Sequence, residues 1–382
     1  MVNSVSTLTS NLLVRDQIQN IQSQLDLTQI QITTGLKSNV FSDLKTDAQR
    51  ALDMTAQKNQ IDAYQKAIHT AQNNITIMDQ SVTQVTQIAT DFQAAYIQDR
   101  NTLGTDPTTQ ALLKEKAQEA LAEIQQALNV QSQGRYVFSG RLISTAPVVP
   151  ANSTAFGPSP LSVINNDINV AAGTNYIANG ATVAFNQVVT DLTPSAAAYT
   201  GVAPNTYPYN GDNAAYSNVF PFTNAVTVRC DKNFDIGYTM RADDPSIAAI
   251  MQGLYAMATT TLPLGASTAT STSYLSLLDA SNFRISQGLQ GPITAPAGIP
   301  SVAAPATGLR SLLGNLAFQE TQLQNFDLQH QATLTTLTGQ ISNLQDADAA
   351  QAITNLQNLQ NQLTSTFKVT ASLQNLTLSR YI

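Results

Sequence analysis

From Asn11 the chain places Val14, Ile18, Ile21, Leu25 and Ile32 on alternating steps of three and four, with Thr28 completing the row. That spacing predicts a helix with one apolar seam of the heptad type. The row lapses at Gly35, in TTGLKS, where a glycine can take the left-handed conformation that caps a helix end. A second helical stretch runs from about Asp47 to Arg100. Asp106-Pro107 then reads as the N-cap and first residue of a third helix, with Leu113, Leu121, Ile124 and Leu128 inward and Gly134 as its stop.

The other end mirrors this pattern. From about Thr307 to Ser379 there is no proline, and Leu334, Leu337, Ile341 and Leu344 are followed by Leu356, Leu359, Leu363 and Phe367. Unbroken, such a helix would span roughly 100 Å at about 1.5 Å per residue. Between the arms lie 14 of the 15 prolines, the exception being Pro107. There AVTVRC and FDIGYTM flank a turn-like DKN and predict a hairpin, while Asp244-Pro245 opens a short helix, SIAAIMQGLYAMA, and another runs from Tyr274 to Leu289. The stretches near 145–225 and 260–272 read as short strands and surface loops.

Composition narrows the function. At 382 residues there is room for two or three domains. Only 11% of residues are charged, against about a quarter in globular proteins, so the polar surface is mostly neutral. A net charge of -7 gives no footprint for nucleic acid. The single cysteine, Cys230, reads as a semi-buried strand residue, and with His69 and His330 it makes no metal-ligand spacing. Both histidines read as helix-surface or packing residues. Asp243 and Asp244 read as a helix cap, and no phosphate loop or nucleophile elbow is present, so no cofactor, metal or catalytic residue is expected. The N-terminus lacks the pattern of a cleaved secretory signal, and no apolar run is long enough to insert in a membrane.

The first 36 residues carry one basic residue, Arg15, and two acidic ones, Asp16 and Asp26. A membrane-surface helix would normally carry several Lys and Arg on its polar face. Copies of a nearly uncharged helix can instead pack side by side without repulsion. The seams could simply close an intramolecular bundle, but two striped helices at the chain ends, with little local core, point to partners in each other and in neighbouring copies. Contacts of that heterologous kind build helical or tubular assemblies.

Three stretches carry a family resemblance: TTGLKSNVFSDLKTDAQRA, GRYVFSG at Gly134 to Gly140, and LQDADAAQAITNLQNLQNQLTSTFKVTASLQNLTLSRYI. They resemble the bacterial flagellin family over roughly residues 1–145 and 305–382. GRYVFSG and the LSRYI ending are more similar to the hook-associated protein 3 branch than to filament flagellins.

The fold expected is α+β: long antiparallel terminal helices forming coiled-coil and helical-bundle domains, with an inserted β-rich outer domain. Residues 1–40 with 346–382 would form the assembly domain, 41–140 with 306–345 the bundle, and 141–305 the outer domain. Gly134, Tyr136, Phe138 and Gly140 would form the domain junction, with Gly134 ending the helix, the two aromatics on one face of an extended segment, and Gly140 turning the chain outward. Val14, Ile18, Ile21, Leu25, Ile32, Leu356, Leu363 and Phe367 would form the assembly interface, in termini that are mobile in the monomer and order on assembly.

By resemblance the chain would be a non-enzymatic structural protein of the flagellum, joining hook to filament as a ring of identical subunits. Its partners would be itself, another hook-associated protein, flagellin, the flagellar export apparatus and an export chaperone. It would reach the cell exterior without a cleaved signal peptide. A filament-forming flagellin is the nearest alternative. A cell-surface module binding glycan or host is another, with Tyr199, Tyr207, Tyr209 and Tyr216 stacking on sugars.

Overall fold

The computed structural model describes residues 2–38, 47–140, 143–144, 146–154, 158–171, 173–193, 226–238, 240–299 and 302–378, with side chains between residues 12 and 372. Tyr199, Tyr207, Tyr209, Tyr216 and the final four residues lie outside them. In order come α1 (Val2–Thr34), α2 (Ala48–Asp99), α3 (Pro107–Leu128), β1 (Gln131–Ser132) and β2 (Arg135–Tyr136). Next are α4 (Pro160–Asn169), α5 (Tyr176–Asn179), α6 (Ala181–Asp191), β3 (Thr227–Asp231) and β4 (Phe234–Gly237). Then follow α7 (Pro245–Thr259), α8 (Thr268–Gln290), α9 (Leu309–Gln345) and α10 (Ala349–Leu378). By its internal contacts the chain divides into residues 1–65 with 328–382, and residues 66–327.

In the 66–327 unit, α7 is the central helix. Every residue from Ser246 to Thr259 is buried, and α3, α4, α6 and α8 all pack on it. A helix apolar on all sides has no solvent face to offer, which is why the sequence surrounds this one with others. Asp244 caps it by accepting from the Ser246 N–H at 2.9 Å, as the sequence predicted; Asp243 is engaged by Arg241 at 2.8 Å.

The α7–α8 pair rests on an internal repeat. Ser246-x3-Ile250-x-Gln252-Gly253-Leu254 recurs as Ser281-x3-Ile285-x-Gln287-Gly288-Leu289. The two glutamines accept from one buried cation: Arg284 donates to Gln252 Oε1 at 2.8 Å and Gln287 Oε1 at 2.9 Å, and also to the Ala303 carbonyl at 2.7 Å. Burial pushes this guanidinium down to about 10.

α8 is also tied to α2. Asp279 accepts from Tyr96 Oη at 2.6 Å and from Arg100 Nε at 2.8 Å and Nη2 at 2.5 Å. Gln93 donates to Ser286 Oγ at 2.7 Å.

Within the described part of residues 141–305, strand is confined to the antiparallel β3–β4 hairpin, with the Phe234 ring tilted against that of Phe326 of α9, centroids 5.0 Å apart. Much of what reads as short strands and loops is helical instead. Ser159 caps α4, and Ile164 and Ile168, four apart, are buried; in α6, Ala184, Phe185, Val188 and Val189 repeat the pattern. Two short helices rich in β-branched residues are held by tertiary burial against local preference. Cys230, expected to be semi-buried, is fully buried in β3. His69 is exposed beside Asp327, 3.0 Å away.

In the other unit α1 packs on α10 in antiparallel fashion, and His330 stacks on Tyr64 at 5.9 Å. The C-terminal arm is not one continuous helix. It breaks between Gln345 and Ala349, where Asp348 accepts from the N–H groups of Ala350 and Gln351 and so caps a new helix.

That break is fastened to the end of α1. Gly35, at φ +71°, turns the chain so that Lys37 N–H donates to the Gln345 carbonyl and Ala347 N–H to the Gly35 carbonyl, each at 2.7 Å. Leu36 and Asp346 form an antiparallel bridge between them.

Candidate assembly surface

The α1/α10 pair follows a heptad rule with a thin buried layer. Ile21 and Thr28, seven apart, are buried on α1, flanked by half-buried Val14, Ile18 and Leu25. Thr28 satisfies its hydroxyl by donating to the Gln24 carbonyl at 2.7 Å. On α10 the buried residues are Ala352 and Leu359, also seven apart, with Leu356 and Leu363 half-buried.

Two of the eight residues assigned to the interface stand outside this intrachain seam. Phe367 is 50% exposed, because the seam continues from Leu359 and Leu363 through the half-buried Thr366 and Thr370, leaving Phe367 one position off the row. Ile32 keeps the heptad step but is 37% exposed, in the last turn before the chain reverses at Gly35.

These two join a wider set of uncovered apolar side chains. Leu12, Leu13 and Leu27 on α1 and Ile353 and Val369 on α10 are all exposed, Leu13 by 65%. Periodicity alone missed them because they fall on no single stripe.

Beside the seam runs a groove of about 480 Å³, lined by Gln24, Thr28, Gln31, Asn355, Asn358 and Gln362 over Leu27 and Leu359. Amides offer donors and acceptors together, so such a wall can match another like itself. Charge is nearly absent: Arg15, Asp16 and Asp26 on α1 and Lys368 on α10 are the only ionisable side chains of the two helices.

The GRYVFSG stretch lies in the 66–327 unit and differs in part from expectation. Gly134 does not end α3. That helix stops at Asn129, whose side chain is pinned to Val148 by two backbone bonds of 2.9 and 3.0 Å. Gly134 instead forms, with Gln133, the two-residue turn of the β1–β2 hairpin, at φ +76° and +50°. Positive φ at both central positions is the type I′ arrangement that suits the twist of paired strands.

The extended segment is also shorter than expected, since the chain already turns at Val137 and Phe138. Tyr136 is half-buried and Phe138 buried, its carbonyl accepting from Ala242 N–H at 3.2 Å. Gly140, at φ +61°, makes a further turn against Arg241.

Burial shifts several titratable groups of the 66–327 unit. Burial, then a hydrogen bond with Asp167, pushes Asp191 up to about 8; burial pushes Asp243 up to about 6 against the pull of Arg241, and the Cys230 thiol up to about 11. Among the described residues, no group of three acidic, histidine or cysteine side chains could hold a metal ion, and no helix is long and apolar enough to cross a membrane.

Residues 5–142 match the model of the bacterial flagellin N-terminal helical region. The matched span takes in nearly all of α1, all of α2 and α3, and the β1–β2 hairpin. A comparison with the curated proteins found no match.

Proposed function

We propose that this chain is a structural, non-enzymatic subunit of the bacterial flagellum, joined to copies of itself through the α1/α10 pair. The observation that carries this reading is an almost uncharged helix pair, half of it matched to the flagellin N-terminal region, that leaves large apolar side chains uncovered on both helices. On a helix pair with a thin buried layer and almost no charge, we read these uncovered side chains as an interaction surface. Val14, Ile18, Ile21, Leu25, Leu356 and Leu363 hold the pair together, while Ile32 and Phe367, with Leu13, face the neighbouring copy. The α1/α10 pair forms within one chain, and the apolar side chains it leaves uncovered become ordered when copies cover them.

Within the flagellum, the position we propose is the junction of hook and filament, as a ring contacting another hook-associated protein on one side and flagellin on the other. The resemblance of GRYVFSG and of the LSRYI ending to the hook-associated protein 3 branch supports this position. The chain reaches the cell exterior through the flagellar export apparatus, accompanied by a chaperone.

Deletion of the gene, followed by electron microscopy of the cells and of the medium, tests the proposal. Hooks without filaments, with flagellin shed into the medium, are expected. Normal hooks carrying shortened or altered filaments would assign the chain to the filament instead, and unchanged flagella would remove it from the organelle.

A further inference from the structure

The α1/α10 seam says little about its own register. Its fully buried layer is Ile21 and Thr28 against Ala352 and Leu359, and the rows repeat every seven residues. Sliding α10 by one heptad exchanges Ala352 for Leu359 and Leu356 for Leu363, all small or aliphatic. The flanks are interchangeable amides, and among the described residues no ion pair links the two helices. Heptad pairs without distinguishing charges or buried polar partners are prone to such slips, each about 10 Å long.

The clasp at the end of α1 has no such degeneracy. Besides the two backbone bonds around the Leu36–Asp346 bridge, Lys37 Nζ donates to the carbonyls of Asn343 and Leu344, both at 2.9 Å. Those carbonyls belong to the last turn of α9, which has no partners for them within the helix and where the helix dipole favours a cation. Gln31 Nε2 closes the loop on the Lys37 carbonyl at 3.0 Å. One residue thus joins α1 to the C-terminus of α9 through both its backbone N–H and its side chain.

We propose that this clasp, with Lys37 as its positioning residue, selects the register of the α1/α10 pair. Fixing Gly35 to Ala347 fixes where α10 begins relative to where α1 ends, and the repetitive seam then closes from that point. The inference concerns a single chain and stands whether or not copies assemble.

The test measures the distance between spin labels on the full-length monomer, attached through Gln29→Cys and Gln357→Cys, both exposed sites, in a Cys230→Ala background. The parent and Lys37→Arg, which keeps both donors, are expected to show one narrow distance. Lys37→Pro removes the N–H and the ammonium together and leaves Leu36 in the extended conformation that a following proline favours. It is expected to add a second population corresponding to a slip of about 10 Å along the axis.

Lys37→Met, which loses the ammonium alone, should show the same second population at a smaller fraction, and it serves if the proline variant does not fold. A single parental distance in both variants would overturn the proposal. So would a featureless spread, since the clasp would then hold the helices together without choosing their register.

Discussion

Gly253 on α7 and Gly288 on α8 occupy reciprocal positions where the two helices approach closely. A Cβ on Gly253 would stand 2.5 Å from the Ser281 carbonyl oxygen and 2.6 Å from Ile285 Cγ1; one on Gly288 would stand 2.5 Å from the Ser246 carbonyl oxygen and 2.6 Å from Ile250 Cγ1. The obstacles are backbone as well as side chain, so a methyl group has nowhere to go unless the helices part. Gly288→Ala is expected to destabilise the 66–327 unit by about 1–3 kcal/mol, the usual range for overpacking. Urea unfolding followed by circular dichroism measures this, and an unchanged midpoint would show that the helices separate freely.

Asp279 accepts three hydrogen bonds from Tyr96 and Arg100. Burial raises its carboxyl, but the bonds from Arg100 and Tyr96 outweigh that and hold it below the ordinary value. Its stabilising contribution is therefore present above the usual carboxylate range and is lost as pH falls through its folded-state pKa. Asp279→Asn is expected to cost about 1–2 kcal/mol at pH 7, given that the ion pair is partly exposed. The gap between parent and variant should close in acid; a gap independent of pH would contradict this.

Asp191 behaves in the opposite sense. With its pKa pushed up to about 8, the folded chain keeps a proton that the unfolded chain gives up near pH 4. Its effect is absent below about pH 4, grows as a penalty between about 4 and 8, and is constant above. Asp191→Asn, which keeps an acceptor for Gln187 and gains a donor for Asp167, should gain stability over the parent across that window. Chemical denaturation at pH 4.5, 6.5 and 8.5 reads the trend, and parallel profiles would refute it.

Leu359 and Phe367 separate holding the helix pair together from joining it to a neighbour. Leu359→Ala removes a side chain 92% covered within the chain and should weaken the α1/α10 pair by about 2–3 kcal/mol, seen as faster amide exchange in both helices. Phe367→Ser removes one that is half uncovered and should change monomer exchange little while lowering self-association in sedimentation at least several-fold. Loss of helix protection in the Phe367 variant would place that residue inside the pair instead.

Gln133 sits at φ +50°, the only non-glycine residue at positive φ among those described. Asparagine tolerates that region better and is the favoured partner of a following glycine in this turn. Gln133→Asn should raise stability by about 0.5 kcal/mol, whereas Gly134→Val should lower it by at least about 1 kcal/mol. Denaturation midpoints that move in the same direction for both would exclude the type I′ reading.

How much of this was legible differs by element. The heptad row of α1 and the Asp106-Pro107 start of α3 could be read directly, because their signals are local. The break at Asp346–Asp348 could not, because it depends on residues 35–37 some 310 positions away, although Asp348 carried a visible capping signal.

α4 and α6 do not read as helices because their β-branched residues prefer strands in isolation, while burial against α7 and α8 decides otherwise. Gly134 reads as a helix stop because glycine marks both helix ends and hairpin turns, and the pairing of Gln131 with Tyr136 is what separates them. The repeat shared by α7 and α8 was present in the letters, five identical residues at a constant offset of 35, and periodicity reading passes over it because both copies look like ordinary buried helix.

The scarcity of charge on α1 and α10 has a consequence for where the protein can work. Ions in the medium weaken contacts made by charged groups over about 10 Å at 0.1 M salt, and they barely touch contacts between amides and hydrocarbon. The joint we propose, built from Leu13, Leu27, Phe367 and a wall of glutamine and asparagine, would therefore keep nearly the same strength in dilute freshwater as at about 0.1 M salt.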